Sequence, residues 1–579
     1  MDGLCAAQSG LPSPPSSTSA KPRAQCSTSK RECIFKTGPR TRRRRSKLHP
    51  AATRKTPPPS APSKTFTIDV PMSAGIEPAD SFDALRDAHE GYIDDLVPEH
   101  DIREYSSTTV RSPLPQPSIT GHAFSPSTTA TSSCSVHGSR DVQPHFNLES
   151  ASSLLSSFRD DMLPHFPVLK LGPDAKVPSL ARDRPFVLLA MLAAVSGGRS
   201  LQGHSLYDEE FRKVLGLKFV SGGERSLELL LGLLIYCAWY PFHLRPRNKQ
   251  AIQYIRMSAE IVHDLDLDQA WQNEDLGVAR ADQGRIEGIR AYLGCYYLCS
   301  SFASTWAKAH SVPYQQWTAT CCDILESNTG SEPAIADQTL VWLVRLGHIS
   351  EETFSLAKGQ GIITLGDQHT FLMVKGLQTQ VQEWQTRMSP KVSMRPVIKM
   401  ASMFTDIILY GYPLLKFPQY TSRKRGQTPS ATYADPSRLL SCAYGLKPWY
   451  EYIASLPPSE FANFASTDWT RFIVTVILGL RLSFPIPNEC PGWDHAAARR
   501  ILDLGSFLRN FSGDDGGSSE TPAPSSNNRS GTDVLSASRV VLGVVQRKYE
   551  KRLAAVERAL AAMEPPHPIA SESDEGLRK

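Results

Sequence analysis

Leu227-Glu-Leu-Leu-Leu-Gly-Leu-Leu-Ile-Tyr-Cys-Ala-Trp-Tyr240, followed by Pro241-Phe-His243, is the most informative stretch of the chain for its fold. A helix over 227–240 has no polar side, which places it in the middle of a helical body rather than on its surface. Pro241 ends it, because proline has no amide hydrogen to continue the ladder. The apolar run Leu229 to Phe242, flanked by Glu228 and His243, is shorter than the roughly 20 residues a bilayer span needs. Outward from it the helical pattern repeats. Residues 184–195 read as a buried helix with Pro185 in its first turn. Pro246 suits the opening of the next helix, where Ile252, Ile255, Ala259 and Val262 share one face. Residues 285–306 place Ile286, Ile289, Leu293 and Tyr297 in register. Further helices are expected at 338–356, 370–388, 397–410, 436–453, 468–482 and 495–511. No run of alternating strands is present, so the body reads as all-α: a multi-helical regulatory domain carrying a disordered basic N-terminal arm.

The chain has 579 residues, more than one domain usually holds. Its 44 prolines are concentrated near the N-terminus. The expected organisation is a low-complexity segment (1–20), a basic segment (21–55), a mostly disordered linker (56–145), the helical body (146–511), a Gly/Ser-rich linker (512–531), a C-terminal helix (532–563) and a disordered tail (564–579). Within the linker, Phe82, Leu85, His89, Tyr92, Ile93 and Leu96 recur at helical spacing, as in a helix docked on the body or a transient one. The C-terminal helix either packs on the body or mediates self-association as a homodimer. No secretory signal is visible, and the chain is expected to be intracellular with no membrane partner. Its 11 cysteines are then thiols or metal ligands rather than a disulfide framework.

Charge is unevenly spread. Between Lys21 and Lys55 lie 13 Lys/Arg and one acid, Glu32, giving +12; the whole chain carries +5, so the remainder carries −7. A basic block beside an acidic body points to a polyanion partner, most often nucleic acid, or to an import signal in a solvated tail. Arg40, Arg42, Arg43, Arg44, Arg45 and Lys47 can neutralise phosphates with salt-sensitive, sequence-poor affinity. Phosphate contacts position a protein without specifying sequence.

The same segment contains Cys26-Ser-Thr-Ser-Lys-Arg-Glu-Cys33-Ile-Phe. This resembles the second half of the fungal binuclear zinc cluster, in which six thiolates in the pattern C-x2-C-x6-C-x5–12-C-x2-C-x6–8-C hold two zinc ions. Cys26 and Cys33 match the last two ligands. Arg23 stands where the fourth is expected, and the first three have no counterpart. A structural zinc takes about four ligands, so two cysteines close no site. Free thiols are the expectation for this chain as it stands, and zinc is expected only if the missing ligands lie upstream. The body carries the resemblance further, to the regulatory (middle-homology) region of fungal transcription factors. The matching blocks are Leu230–His243, Ala251–Leu267, Arg290–Ser301 and Phe158–Leu169, with Thr65–Pro71 in the linker. The family usually has glycine where Asp266 stands, so a different helix end is expected there.

The resemblance implies a nuclear regulator of transcription, often of a metabolic pathway. Its expected partners are DNA and transcription machinery or co-regulator proteins. Each block also has an ordinary reading, since aromatic and cysteine side chains fill tightly packed helical cores. His263, Asp264, Asp266 and Asp268 read as a polar helix terminus rather than a metal site. Two rival functions remain. One is a helical co-regulator without specific DNA binding of its own. The other is a helical enzyme, which finds little support: no D-D-x-x-D, G-x-S-x-G, P-loop, H-E-x-x-H or G-x-G-x-x-G motif occurs.

Overall fold

A computed structural model describes residues 82–96, 147–198, 206–245, 249–270, 283–327 apart from 307 and 309, 335–358, 367–415, 434–512 apart from 488, and 534–563. Among these residues every regular element is a helix. The first, α1 (Phe82–Leu96), is followed by α2 (Leu148–Ser157), α3 (Val177–Asp183), α4 (Pro185–Gly198), α5 (Leu206–Leu215), α6 (Leu227–Ala238), α7 (Gln250–Asp264), α8 (Gln283–Thr305), α9 (Gln316–Ser327) and α10 (Ile335–Lys358). Then come α11 (Asp367–Arg387), α12 (Pro390–Ser393), α13 (Pro396–Gly411), α14 (Pro436–Ser455), α15 (Pro458–Asn463), α16 (Ser466–Leu482), α17 (His495–Leu502), α18 (Leu504–Ser512) and α19 (Val534–Met563).

The all-apolar stretch becomes α6, and every residue from Leu229 to Ala238 is buried. Ser226 caps its start, accepting from the Leu229 amide at 3.2 Å. Glu228 turns away from the core to accept from the Phe186 amide at 2.8 Å, satisfying an orphan donor at the start of α4. Gly232 lets the two helices approach closely: a Cβ there would sit 2.5 Å from the Phe186 ring. These helices, with α2, α5, α7, α8, α9 and most of α10, enclose one hydrophobic core. A second core gathers α14, α16, α17, α18 and α19. Full burial of each large aliphatic side chain in such a core contributes about 1.5–3 kcal/mol.

Helix α13, like α10, serves both cores. Along α13, Val397, Ile398 and Ala401 enter the first core. Met400, Phe404, Ile407 and Ile408 enter the second. Leu409 joins Val374, Leu377 and Val381 of α11 in a small satellite cluster. The segment after α6 also crosses between the cores. Trp239 Nε1 donates to Asn463 O at 3.0 Å, and the His243 ring stacks on Trp469 with centroids 4.3 Å apart.

The linker helix is docked. In α1, Leu85, His89 and Ile93 are buried, and the helix packs along α19. The His89 ring nitrogens lie 2.8 Å from Leu85 O and 3.0 Å from His243 O, and Asp94 pairs with Lys548. The C-terminal helix packs on the body rather than standing free. Its Val534, Ala537, Leu542, Val544, Val545, Tyr549 and Val556 are buried.

Two sequence expectations need correction. The helix expected over 495–511 is two helices, broken at Asp503, which adopts a left-handed conformation with φ 44°. The end of α7 follows the glycine-type geometry despite the aspartate: Asp266 takes φ 52°, a conformation Asp tolerates better than most residues. Around it His263 contacts Asp268 (2.8 Å) and Ser311 O (3.0 Å), and Arg225 pairs with Asp264 (2.7 Å). This is the polar helix terminus expected from the sequence. Pro246 lies outside the described residues, and α7 begins at Gln250.

Candidate functional site

Where the two cores meet, a buried network of charges and hydroxyls replaces apolar packing. His165 ends a short 3-10 turn (Leu163–His165) that follows α2. Its Nδ1 lies 3.1 Å from Asp468 Oδ2 and its Nε2 3.2 Å from Glu460 Oε1. Both ring nitrogens therefore face carboxylates, an arrangement that fits an imidazolium donating twice. Burial alone would push the imidazole down, but hydrogen bonds and charge from Asp468 and Glu460 outweigh it and raise it to about 9.

Asp468 is completely buried and sits in the first turn of α16, where a carboxylate is favoured by the helix dipole. It also accepts from the Ala465 amide at 3.0 Å and from Arg471 Nη1 at 2.8 Å. Arg471 Nη2 donates in turn to the Tyr297 hydroxyl on α8. One carboxylate thus joins the turn after α2, the start of α16 and the middle of α8. Beside it lies a polar cavity with about 30 Å3 of room for water centres, enough for one or two molecules. Ser300, Ser304, Thr405, Thr470, Glu351 and Arg471 line it. Glu351 accepts from the Tyr296 hydroxyl at 2.6 Å and from Ser300 Oγ at 2.7 Å.

This arrangement ties three elements of the body together. Both oxygens of Asp468 are taken up, by His165, Arg471 and the Ala465 amide. The seven described cysteines are all buried. Burial pushes the thiols of Cys237, Cys321, Cys322 and Cys442 upward, to about 12 for the last two, so none is a ready thiolate.

The sequence-derived site residues are elsewhere. Cys26, Cys33, Arg40, Arg42, Arg43, Arg44, Arg45 and Lys47 all lie outside the described residues. The seam residues Asp468, Arg471 and Glu460 were not singled out by sequence reasoning; His165 appeared only within a matching block. The one local signal is an acid three residues after Ala465, in the first turn of a helix that also carries Arg471 and Arg481.

The comparisons with known proteins point to one class. The chain is related to fungal transcription factors. It is 27% identical over 381 residues to the transcription factor himD of Aspergillus japonicus, an alignment covering 62% of this chain and 60% of that protein. It is 22% identical over 372 residues to the transcription factor opdL of Penicillium oxalicum, covering 61% and 63%. The transcription factor pbcR of Emericella nidulans is 23% identical over 223 residues, covering 34% of this chain and 29% of its own. The chain spans about three-fifths of the length of the first two relatives. No family model matches it. No solved structure matches it either.

Among the described residues no helix is long and apolar enough to cross a membrane.

Proposed function

We propose that this protein is a nuclear regulator of RNA polymerase II transcription, acting on genes of a metabolic pathway such as a secondary-metabolite one. Its basic segment (21–55) contacts DNA and its helical body (146–511) governs that contact. The observation that carries this reading is the joining of a +12 segment to a helical body related to named fungal transcription factors. The body's charge-linked seam supports a regulatory rather than an enzymatic role. Arg40, Arg42, Arg43, Arg44, Arg45 and Lys47 are the phosphate-contacting set.

Duplex binding by the full chain, followed by fluorescence anisotropy across a salt series, tests it. Each neutralised phosphate contributes a slope of about −0.9 in log K against log salt. Replacing Arg42, Arg43, Arg44 and Arg45 by Gln is expected to flatten the slope by about 3.6. No binding in dilute buffer, or salt-insensitive sequence-specific binding, would contradict the proposal.

One observation favours a second reading, a co-regulator without specific DNA affinity: Arg23 occupies the position of a cluster ligand, leaving Cys26 and Cys33 as a partial set. Metal analysis of the purified full chain separates the two. Stoichiometric zinc favours a cluster completed by other ligands, and its absence with intact nuclear function favours the co-regulator.

A further inference from the structure

Beside the seam runs an open groove of about 400 Å3, within the usual size range of small-molecule sites. His165 and Glu460 reach it from the seam, Asp160 and Asp161 from the turn after α2, and Lys391 and Arg395 from the segment around α12. The acids and bases of this groove are not matched. Asp160 is held by Arg159 at 2.9 Å, and Glu460 by His165 at 3.2 Å. Neither Lys391 nor Arg395 has a carboxylate partner among the described residues. Arg395 is half-buried, and desolvation with nothing to offset it lowers its guanidinium below the ordinary value. A half-buried cation without a counter-charge is unfavourable until an anion joins it. Apolar surface lies alongside: Met394 is 80% exposed at the rim, and Pro164, Pro396 and Val397 line the groove with the polar Asn463.

We propose that this groove binds an organic monocarboxylate, its carboxylate held by Arg395 and Lys391 and its apolar body resting on Met394 and the adjoining prolines. Arg395 supplies a planar fork that matches a carboxylate, and Lys391 adds a point charge. Asp161 has no cationic partner among the described residues and faces the same space, so it repels a second negative charge. The site therefore favours a single carboxylate on a compact apolar frame over inorganic phosphate or a polyanion. Binding here is independent of whether the basic arm contacts DNA, so the two proposals fail separately.

The test is calorimetric titration of the full chain at neutral pH with benzoate, and separately with inorganic phosphate. Benzoate is expected to bind with a dissociation constant of roughly 0.1–1 mM, as a ligand with one charge-assisted contact and a small apolar face would. Arg395→Gln and Lys391→Gln are each expected to weaken it by about tenfold, the effect of one lost charge-assisted hydrogen bond. Arg395→Lys should restore part of the loss. Lys391 is exposed, so its variant is expected to fold even if the Arg395 variants do not. The proposal is overturned if benzoate gives no binding at about 10 mM, if neither Gln variant changes it, or if phosphate binds as tightly as benzoate.

Discussion

Asp468 shows how much one side chain can hold. It is inaccessible to water, and His165, Arg471 and the Ala465 amide all address its two oxygens. Removing the charge while keeping the shape leaves an imidazolium and a guanidinium facing each other inside the protein. Breaking a buried ion pair from one side costs roughly 3–5 kcal/mol. Asp468→Asn is therefore expected to lower the unfolding free energy measured in urea by that amount. A loss below about 1 kcal/mol would show that the network contributes little. The contact was not legible in the sequence, because its partners are 303 residues apart and no local pattern encodes a pairing at that distance. Gly232 was legible only as a residue of low helix propensity; its use, the close approach of α4 at Phe186, emerges from packing.

At the scale of elements, the docked helix α1 is the informative case. The spacing of Leu85, His89 and Ile93 gave the helix, and the same three side chains are the ones buried. What the spacing left open was the partner, which is α19 and the turn holding His243. Because α1 contributes only one short face, undocking should be local rather than global. Leu85→Ala is expected to speed amide exchange across 82–96 while the exchange of α8 is unchanged and the global unfolding free energy stays within about 1 kcal/mol of wild type. Loss of protection in α1 and α8 together would sink this view. The central helix α6 was readable almost to its ends, since all its faces are apolar and Pro241 closes it. The break at Asp503 was not, because Ala498, Leu502, Phe507 and Leu508 keep a helix-like apolar rhythm across it. Only the backbone there, turned left-handed, separates α17 from α18.

For the whole molecule, two buried histidines pull its response to pH in opposite directions. His165 is raised from 6.5 to about 9, so its contribution is complete below pH 6.5 and is lost as pH rises towards 9. His243 is lowered from 6.5 to about 3, by burial first and then by His89; the unfolded chain takes up its proton more readily, so stability is lost as pH falls from 6.5 towards 3. Stability is therefore expected to peak near pH 6.5. The alkaline limb is on the order of 3 kcal/mol, following the size of the His165 shift. His165→Gln should flatten that limb and leave the acid one. A wild-type midpoint that stays level from pH 6.5 to 9 would refute the assignment.

Because α13 lends one side to each core, the body has no internal line along which it divides into independent parts. A chain that stops short of Pro396, by early termination or faulty splicing, strips a wall from the half that was already made. Such alleles should behave as simple losses of the protein, without retaining one activity and dropping another.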